Sequence, residues 1–124
     1  LPGDVRKVKN FMSSALTVVS PDTSLEDAVS LMTAMNVPVI VAYEGTRLVG
    51  MITDRDVALT RRSRENLQIS TVGDVMRDHI PYCHEDDLLT DAQALMRVSE
   101  VDWMPVLDRT GRLAGVLSIY IPPS

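Results

Sequence analysis

The feature of this sequence that most constrains its fold is an internal repeat. When the 124-residue chain is compared with itself at an offset of about 64 residues, short matches extend through the first half. The matched pairs are Met12 with Met76, Asp27 with Asp91, Leu31-Met32 with Leu95-Met96 and, after one extra residue in the second copy, Gly50 with Gly115. Matches spread over a whole unit outweigh any single motif, so the chain is predicted to contain two tandem copies, at 8–60 and 72–121.

Each copy predicts the same order of elements. A short amphipathic turn ends at Met12 or Met76, and a strand, a helix and two further strands follow it. The strands are predicted at 16–19, 38–42 and 48–52 in the first copy and at 80–83, 104–107 and 113–117 in the second, with the helices at 25–35 and 89–99. The first helix has its apolar residues on one face, namely Ala28, Leu31, Met32 and Met35.

The two copies differ after their last strand. The first continues into a further helix through Asp56-Val57-Ala58-Leu59, whereas the second meets Pro122-Pro123, where a helix cannot easily continue. The charged stretch 61–66 between the copies is interpreted as a solvated linker. We therefore predict two domains, 1–64 for repeat 1 with its linker and 65–124 for repeat 2.

A single copy is small for a stable domain. Units of about 55 residues rarely bury enough apolar surface to be stable alone, but two in one chain can bury their sheets against each other. The predicted fold is therefore α/β, with two tandem βαββ(α) repeats packed through their sheets with pseudo-twofold symmetry and a crevice between them.

Composition narrows the classes of function. With 45% hydrophobic but only 4% aromatic residues, the core must be filled by aliphatic and Met side chains. A net charge of −5 argues against nonspecific binding to nucleic acid or to an acidic membrane surface. Cys83 is the only cysteine, which excludes an internal disulfide and favours a reducing compartment. Without a long apolar run or a signal-peptide pattern, a cytoplasmic location is expected.

The end of the third strand in the first copy has the most specific chemistry. Thr53 and Asp56 have the Thr-x-x-acid spacing of a helix start, where hydroxyl and carboxylate each reach an unpaired backbone N–H. Phosphates and riboses also bind where a strand ends at a helix N-terminus. The spacing alone fits either a simple capping box or a ligand site. The second copy keeps Ser118 but has Ile121 in place of the acid.

The repeat, its methionines and this strand end together resemble a tandem pair of cystathionine-β-synthase (CBS) domains, known as a Bateman module. The resemblance is carried by Met12 and Met76, by Leu31-Met32 and Leu95-Met96, by Met104-Pro105-Val106 and by Gly50-Met51-Ile52-Thr53-Asp54-Arg55-Asp56. It implies a regulatory or sensor module, not an enzyme, that binds AMP, ADP, ATP or S-adenosylmethionine between the repeats. It also implies a homodimer, an effector protein or domain that receives the signal, and no obligatory cofactor.

The resemblance further implies the residues of the ligand site. Asp56 would accept hydrogen bonds from the ribose hydroxyls, Thr53 would contact ribose or phosphate, and Met51 would form the floor. The opposite copy would supply Ile80, Pro81, Tyr82, Val101, Asp102 and Trp103. Trp103 or Tyr82 would stack on the purine, with core filling as the alternative for Trp103. Arg55 either binds phosphate or is an exposed first-turn residue. Because Ile121 replaces the acid, at most one ribose site per chain is expected.

Other sites are less well supported by the sequence. His79, Cys83 and His84 lie near three acids, but alternation along a strand points His84 away from the other two, so metal binding is disfavoured. Cys83 lacks a base at a recognisable spacing and is interpreted as a small core residue. The remaining alternative to a nucleotide sensor is a CBS pair that binds no ligand and serves dimerisation or interaction.

Overall fold

The computed structural model describes residues 6–62 and 70–120, and the side chains of 61 and 62 are not described. The chain divides into two compact units. The first-repeat unit is Thr17–Ile80, and the second-repeat unit combines the described residues up to Leu16 with those from Pro81 onward. Each unit therefore contains most of one sequence repeat together with the leading segment of the other.

The first-repeat unit is built on a three-stranded sheet. Its strands are β1 (Val18–Val19), β2 (Val39–Glu44) and β3 (Arg47–Thr53), with β1 parallel and β3 antiparallel to β2. Helix α1 (Leu25–Met35) connects β1 to β2, α2 (Asp54–Arg62) follows β3 directly, and the short α3 is Val72–Val75. This is the predicted order, with the further helix after the third strand.

The second-repeat unit repeats that topology. Strand β4 (Cys83–His84) is parallel to β5 (Trp103–Leu107), which is antiparallel to β6 (Leu113–Ser118), and α4 (Leu89–Ser99) connects β4 to β5. A short 3-10 helix, Val8–Asn10, begins the described chain. Two three-stranded sheets with helices confirm the predicted mixed α/β class. No helix among the described residues is long and apolar enough to cross a membrane.

Both long helices end in the same backbone conformation, although they begin differently. Ser24 caps α1 by accepting a hydrogen bond from the Asp27 backbone N–H at 3.0 Å, whereas Leu88 at the start of α4 has no capping side chain. Asn36 (φ 53°) and Glu100 (φ 58°) end the two helices in the left-handed region. Asparagine tolerates this conformation better than glutamate does.

The segments that lead into each repeat, 7–13 and 71–77, each pair with the edge of a sheet through one β-bridge. We call them the leading segments. Ser13 N–H donates to Val116 O at 2.8 Å and receives a bond from Val116 N–H, while Arg77 and Met51 form the same reciprocal pair. Glycine is required beside both bridges. A Cβ on Gly115 would lie 2.5 Å from Ser13 O, and one on Gly50 would lie 2.9 Å from Arg77 O and would overlap Met76.

Two details of the sequence prediction were wrong. Leu31 and Met35 were predicted on the buried face of α1, but they are 37% and 59% exposed, because the buried stripe is the narrower set Leu25, Ala28 and Met32. The first strands are also shorter and later than predicted, since Val18–Val19 and Cys83–His84 alone form ladders. The predicted linker 61–66 lies largely outside the described residues.

Candidate functional site

Thr53 and Asp56 form a reciprocal capping box at the junction of β3 and α2. Thr53 N–H donates to Asp56 Oδ2 at 2.9 Å, and Asp56 N–H donates to Thr53 Oγ1 at 3.1 Å. The two bonds satisfy backbone donors that a helix start leaves unpaired. Thr53 and Asp56 therefore cap the start of α2, as the sequence predicted.

The Asp56 carboxylate has an unusual environment for a capping residue. Asp56 is 8% exposed and is the only charged residue among the buried side chains of the described chain. Its second oxygen, Oδ1, lies 3.4 Å from the Nε of Arg77, whose side chain is 43% exposed. A carboxylate offers about four acceptor positions. It can therefore keep both contacts and still accept further hydrogen bonds.

Arg77 was missed by the sequence analysis. It lies 21 residues from Asp56, and no short motif relates the two. The leading segment of the second repeat places Arg77 near Asp56. The Arg77 backbone forms a β-bridge with Met51, which lies five residues before Asp56 at the same strand–helix junction. The available signal was an arginine after Met76 where the first copy has Ser13 after Met12.

The other predicted ligand residues of the first-repeat unit have different environments. Met51 is 1% exposed and central in β3, Arg55 is exposed in the first turn of α2, and Ile80 is half-buried. Of these three, Met51 is tied to the Thr53/Asp56 site through its backbone bridge to Arg77. Contact of Arg55 with a phosphate remains a prediction.

Five predicted ligand residues belong to the second-repeat unit. Val101 is 6% exposed and belongs to that unit's apolar core, while Trp103 is half-buried at the start of β5. Tyr82 is 53% exposed and its ring meets the His84 ring edge-on, with centroids 5.8 Å apart. Pro81 and Asp102 are half-buried, and Asp102 O accepts a bond from Ile119 N–H at 2.9 Å. Their role toward a ligand remains a prediction.

The equivalent strand end of the second copy has no acid among its described residues. Ser118 Oγ accepts a hydrogen bond from Tyr120 N–H at 3.1 Å, which closes a short turn in place of a helix start. Ile121 lies outside the described residues. Ser13, at the position equivalent to Arg77, keeps the backbone bridge but is not a cation.

Another pair with the same spacing shows how little the motif specifies alone. Thr71 and Asp74 are also Thr-x-x-Asp, and Thr71 N–H donates to Asp74 Oδ2 at 2.9 Å. Asp74 is exposed and lies in the first turn of a helix of four residues. What distinguishes Asp56 is its burial and its cationic neighbour.

Two other titratable groups near the second-repeat strand β4, Cys83 and Asp86, have shifted pKa values. Burial, with the nearby charge of Asp87, raises the pKa of the Cys83 thiol to about 12, which opposes a role as a nucleophile at neutral pH. Hydrogen bonds from Arg109 and Lys9 lower the pKa of Asp86. Within 6–62 and 70–120, no three His, Cys, Asp or Glu residues are grouped so as to hold a metal ion.

Known proteins match the chain over nearly its whole length. The CBS-domain family model matches residues 8–61 and 72–120. The CBS domain-containing protein YhcV of Bacillus subtilis (strain 168) is 31% identical over 112 residues, which cover 90% of this chain and 79% of YhcV.

Solved structures agree with this assignment. CBSX2, a protein of Arabidopsis thaliana, has been solved in complex with AMP. That structure is 30% identical to this chain, with a TM-score of 0.71 over 90% of this chain and 89% of the other. The CBS domain pair of MJ0100, solved with 5′-methylthioadenosine and S-adenosyl-L-methionine, is 22% identical and shares the fold with a TM-score of 0.81 over 93% of this chain and 90% of the other. Two tandem family matches covering most of the sequence show that this chain belongs to the CBS-domain family, as a pair of CBS domains.

Proposed function

We propose that this chain is a regulatory module that binds an adenosine-containing ligand, with the ribose hydroxyls hydrogen-bonded to Asp56. The observation that carries the proposal is the buried Asp56 carboxylate, held at a strand end and helix start by Thr53. An ionised carboxylate accepts but does not donate hydrogen bonds, which matches the two donors of a ribose diol.

The comparison with CBSX2 supports the choice of ligand class. That protein is solved with AMP and is 30% identical to this chain over most of both lengths. AMP, ADP, ATP and S-adenosylmethionine are the candidate ligands. We also propose that the module is a cytoplasmic homodimer that acts on an effector protein or domain and is not itself a catalyst.

A thermal-shift panel tests the proposed ligand class. The panel contains AMP, ADP, ATP, S-adenosylmethionine, NADH and a guanine nucleotide. Ligand at about a hundredfold excess over its Kd adds about 2.7 kcal/mol to the free energy of unfolding, so a binding ligand should raise Tm by several degrees. If none of them raises Tm, the proposed function is wrong.

Two matched variants locate the binding. Asp56→Ala removes the proposed ribose acceptor along with one capping contact, which costs about 1 kcal/mol. Asp74→Ala removes the same type of contact at Thr71, where the acid is exposed. We expect Asp56→Ala to lose the nucleotide-induced rise in Tm and Asp74→Ala to keep it. A rise that persists in Asp56→Ala would place the ligand elsewhere.

A second candidate function is dimerisation or interaction without a ligand. Apolar side chains exposed on the helices favour it, with Met35 59% exposed on α1 and Val98 83% exposed on α4. Analytical ultracentrifugation distinguishes the candidates when combined with the nucleotide panel. A stable dimer that no nucleotide stabilises would support this second function.

A further inference from the structure

We propose that Arg77 makes the Thr53/Asp56 site selective for phosphate-bearing adenosine ligands over neutral or cationic ones. The inference rests on the proposed function and specifies its ligand class. It assigns a specificity role to a residue of the leading segment that the sequence motif does not include.

The first step is that Arg77 and the proposed ribose would contact the same carboxylate. Asp56 Oδ2 is held by the Thr53 N–H at 2.9 Å, and Oδ1 is the atom that faces the Arg77 Nε at 3.4 Å. Each carboxylate oxygen has two acceptor positions, so ribose hydroxyls can donate to Asp56 while it keeps both contacts. A ribose bound in this way would lie beside the Arg77 guanidinium.

The second step follows from charge. The Arg77 guanidinium lies beside the carboxylate that would hold the ribose, so its charge acts on the group that the ribose carries. Neutral adenosine brings no charge for the arginine to attract. A ligand with a 5′-phosphate brings an anion on the same ribose, and the planar guanidinium can bind it through two parallel hydrogen bonds. S-adenosylmethionine has a sulfonium cation attached to the same ribose carbon, so the arginine would oppose it.

The third step comes from the other copy. The leading segment there makes the same backbone bridge through Ser13, so the fold does not need an arginine at this position. The second copy lacks both charges, with Ser13 in place of Arg77 and Ile121 in place of Asp56. The acid and the base are thus present together in one copy and absent together from the other, as expected for two groups that act on one ligand.

Isothermal titration calorimetry with AMP, adenosine and S-adenosylmethionine tests the inference. The variant is Arg77→Gln, which removes the charge but keeps a polar side chain. The control is Arg109→Gln, because Arg109 forms a comparable pair with Asp86, with Nε 2.9 Å from Oδ2, in the second-repeat unit. Arg77→Lys keeps the positive charge but loses the planar fork.

The expected result is a change of preference rather than a general loss of binding. Charge-assisted contacts typically discriminate by about tenfold or more, so wild-type protein and Arg109→Gln should bind AMP about tenfold more tightly than adenosine. In Arg77→Gln the two affinities should become similar, with adenosine bound no more weakly than before. Arg77→Lys should keep a reduced preference for AMP.

The outcomes separate this inference from the proposed function. Wild-type protein that binds AMP and adenosine, or AMP and S-adenosylmethionine, with equal affinity overturns the role of Arg77 alone, and this result requires no variant to fold. An unchanged preference in Arg77→Gln also overturns it. Wild-type protein that binds none of the three overturns the proposed function, and this inference with it.

Discussion

The two CBS repeats share a scaffold and differ in the chemistry at one strand end. Both bring a leading segment against the third strand of their sheet, through reciprocal backbone bonds at Met51–Arg77 and at Ser13–Val116. At this junction the described charge pair, Asp56 with Arg77, belongs to the first-repeat unit, where a helix begins immediately after the strand. The bridge is therefore part of the scaffold that the two repeats share, while the charged pair is an addition to it in the first repeat.

The repeats also differ at two equivalent structural positions. Cys83 in β4 occupies the place that Val19 has in β1, and Glu100 ends α4 where Asn36 ends α1. Glutamate is less suited than asparagine to a positive φ, and a thiol can lose a proton where valine cannot. The second-repeat unit should therefore respond more strongly to changes at these places.

The largest effect is expected at the glycines beside the bridges. Gly115→Ala and Gly50→Ala should each lower the free energy of unfolding by about 1–3 kcal/mol, because the new methyl group meets backbone oxygen. Gly115→Ala should be the more damaging, since Ser13 O would be 2.5 Å from the new Cβ. Chemical denaturation of both variants measures the difference.

The same pair of variants tests whether the bridge positions the ligand site. Gly50→Ala displaces the segment that holds Arg77, so AMP affinity should also fall, whereas Gly115→Ala should leave it unchanged when measured well below Tm. Equal AMP affinity in the two variants would show that the Met51–Arg77 bridge does not support the site.

The next largest effect concerns alkaline pH. The pKa of Cys83 is raised from 9.0 to about 12 in the folded protein, so between those values the unfolded chain loses a proton that the folded chain keeps. Stability should therefore be unaffected below pH 9 and should fall above it, by up to about 1.4 kcal/mol per pH unit. Cys83→Val, which copies Val19, should remove this part of the pH dependence. Identical slopes for both proteins between pH 9 and 10.5 would contradict the assignment.

The smallest effect is expected at the helix ends. Glu100→Gly should raise the free energy of unfolding by about 1 kcal/mol, because glycine adopts positive φ without the strain that a side chain imposes. Asn36→Gly should have a smaller effect, since asparagine already tolerates this conformation. Equal gains from both variants in thermal denaturation would show that the glutamate is not strained.

Local patterns predicted the elements that local physics determines. The helices at 25–35 and 89–99 agree with the observed Leu25–Met35 and Leu89–Ser99, because apolar spacing and polar flanks specify a helix within one stretch of sequence. The same spacing did not predict which apolar residues are buried, since the width of the buried stripe depends on the sheet beneath it. Leu31 illustrates this, being 37% exposed.

The candidate site was predicted only in part for a similar reason. Thr53 and Asp56 are three residues apart, so their mutual hydrogen bonds follow from the sequence. The equal spacing of Thr71 and Asp74 shows that burial cannot be inferred from the motif. Arg77 reaches Asp56 only through the bridge to Met51, and such long-range pairing is not encoded by any local pattern.

Each unit contains the leading segment of the other repeat, and this arrangement has a consequence for synthesis on the ribosome. The first-repeat unit, Thr17–Ile80, is one continuous stretch, so all the residues that form its internal contacts are present once that stretch has emerged. The second-repeat unit needs the earliest described residues, since Val8 N–H donates to Asp87 O at 3.0 Å and Lys9 N–H to Glu85 O at 2.9 Å. Val8 and Lys9 therefore cannot form these bonds until the whole first-repeat unit and the start of the second have been translated. The nascent chain can therefore bring Asp56 and Arg77 together before the contacts of the second-repeat unit are complete.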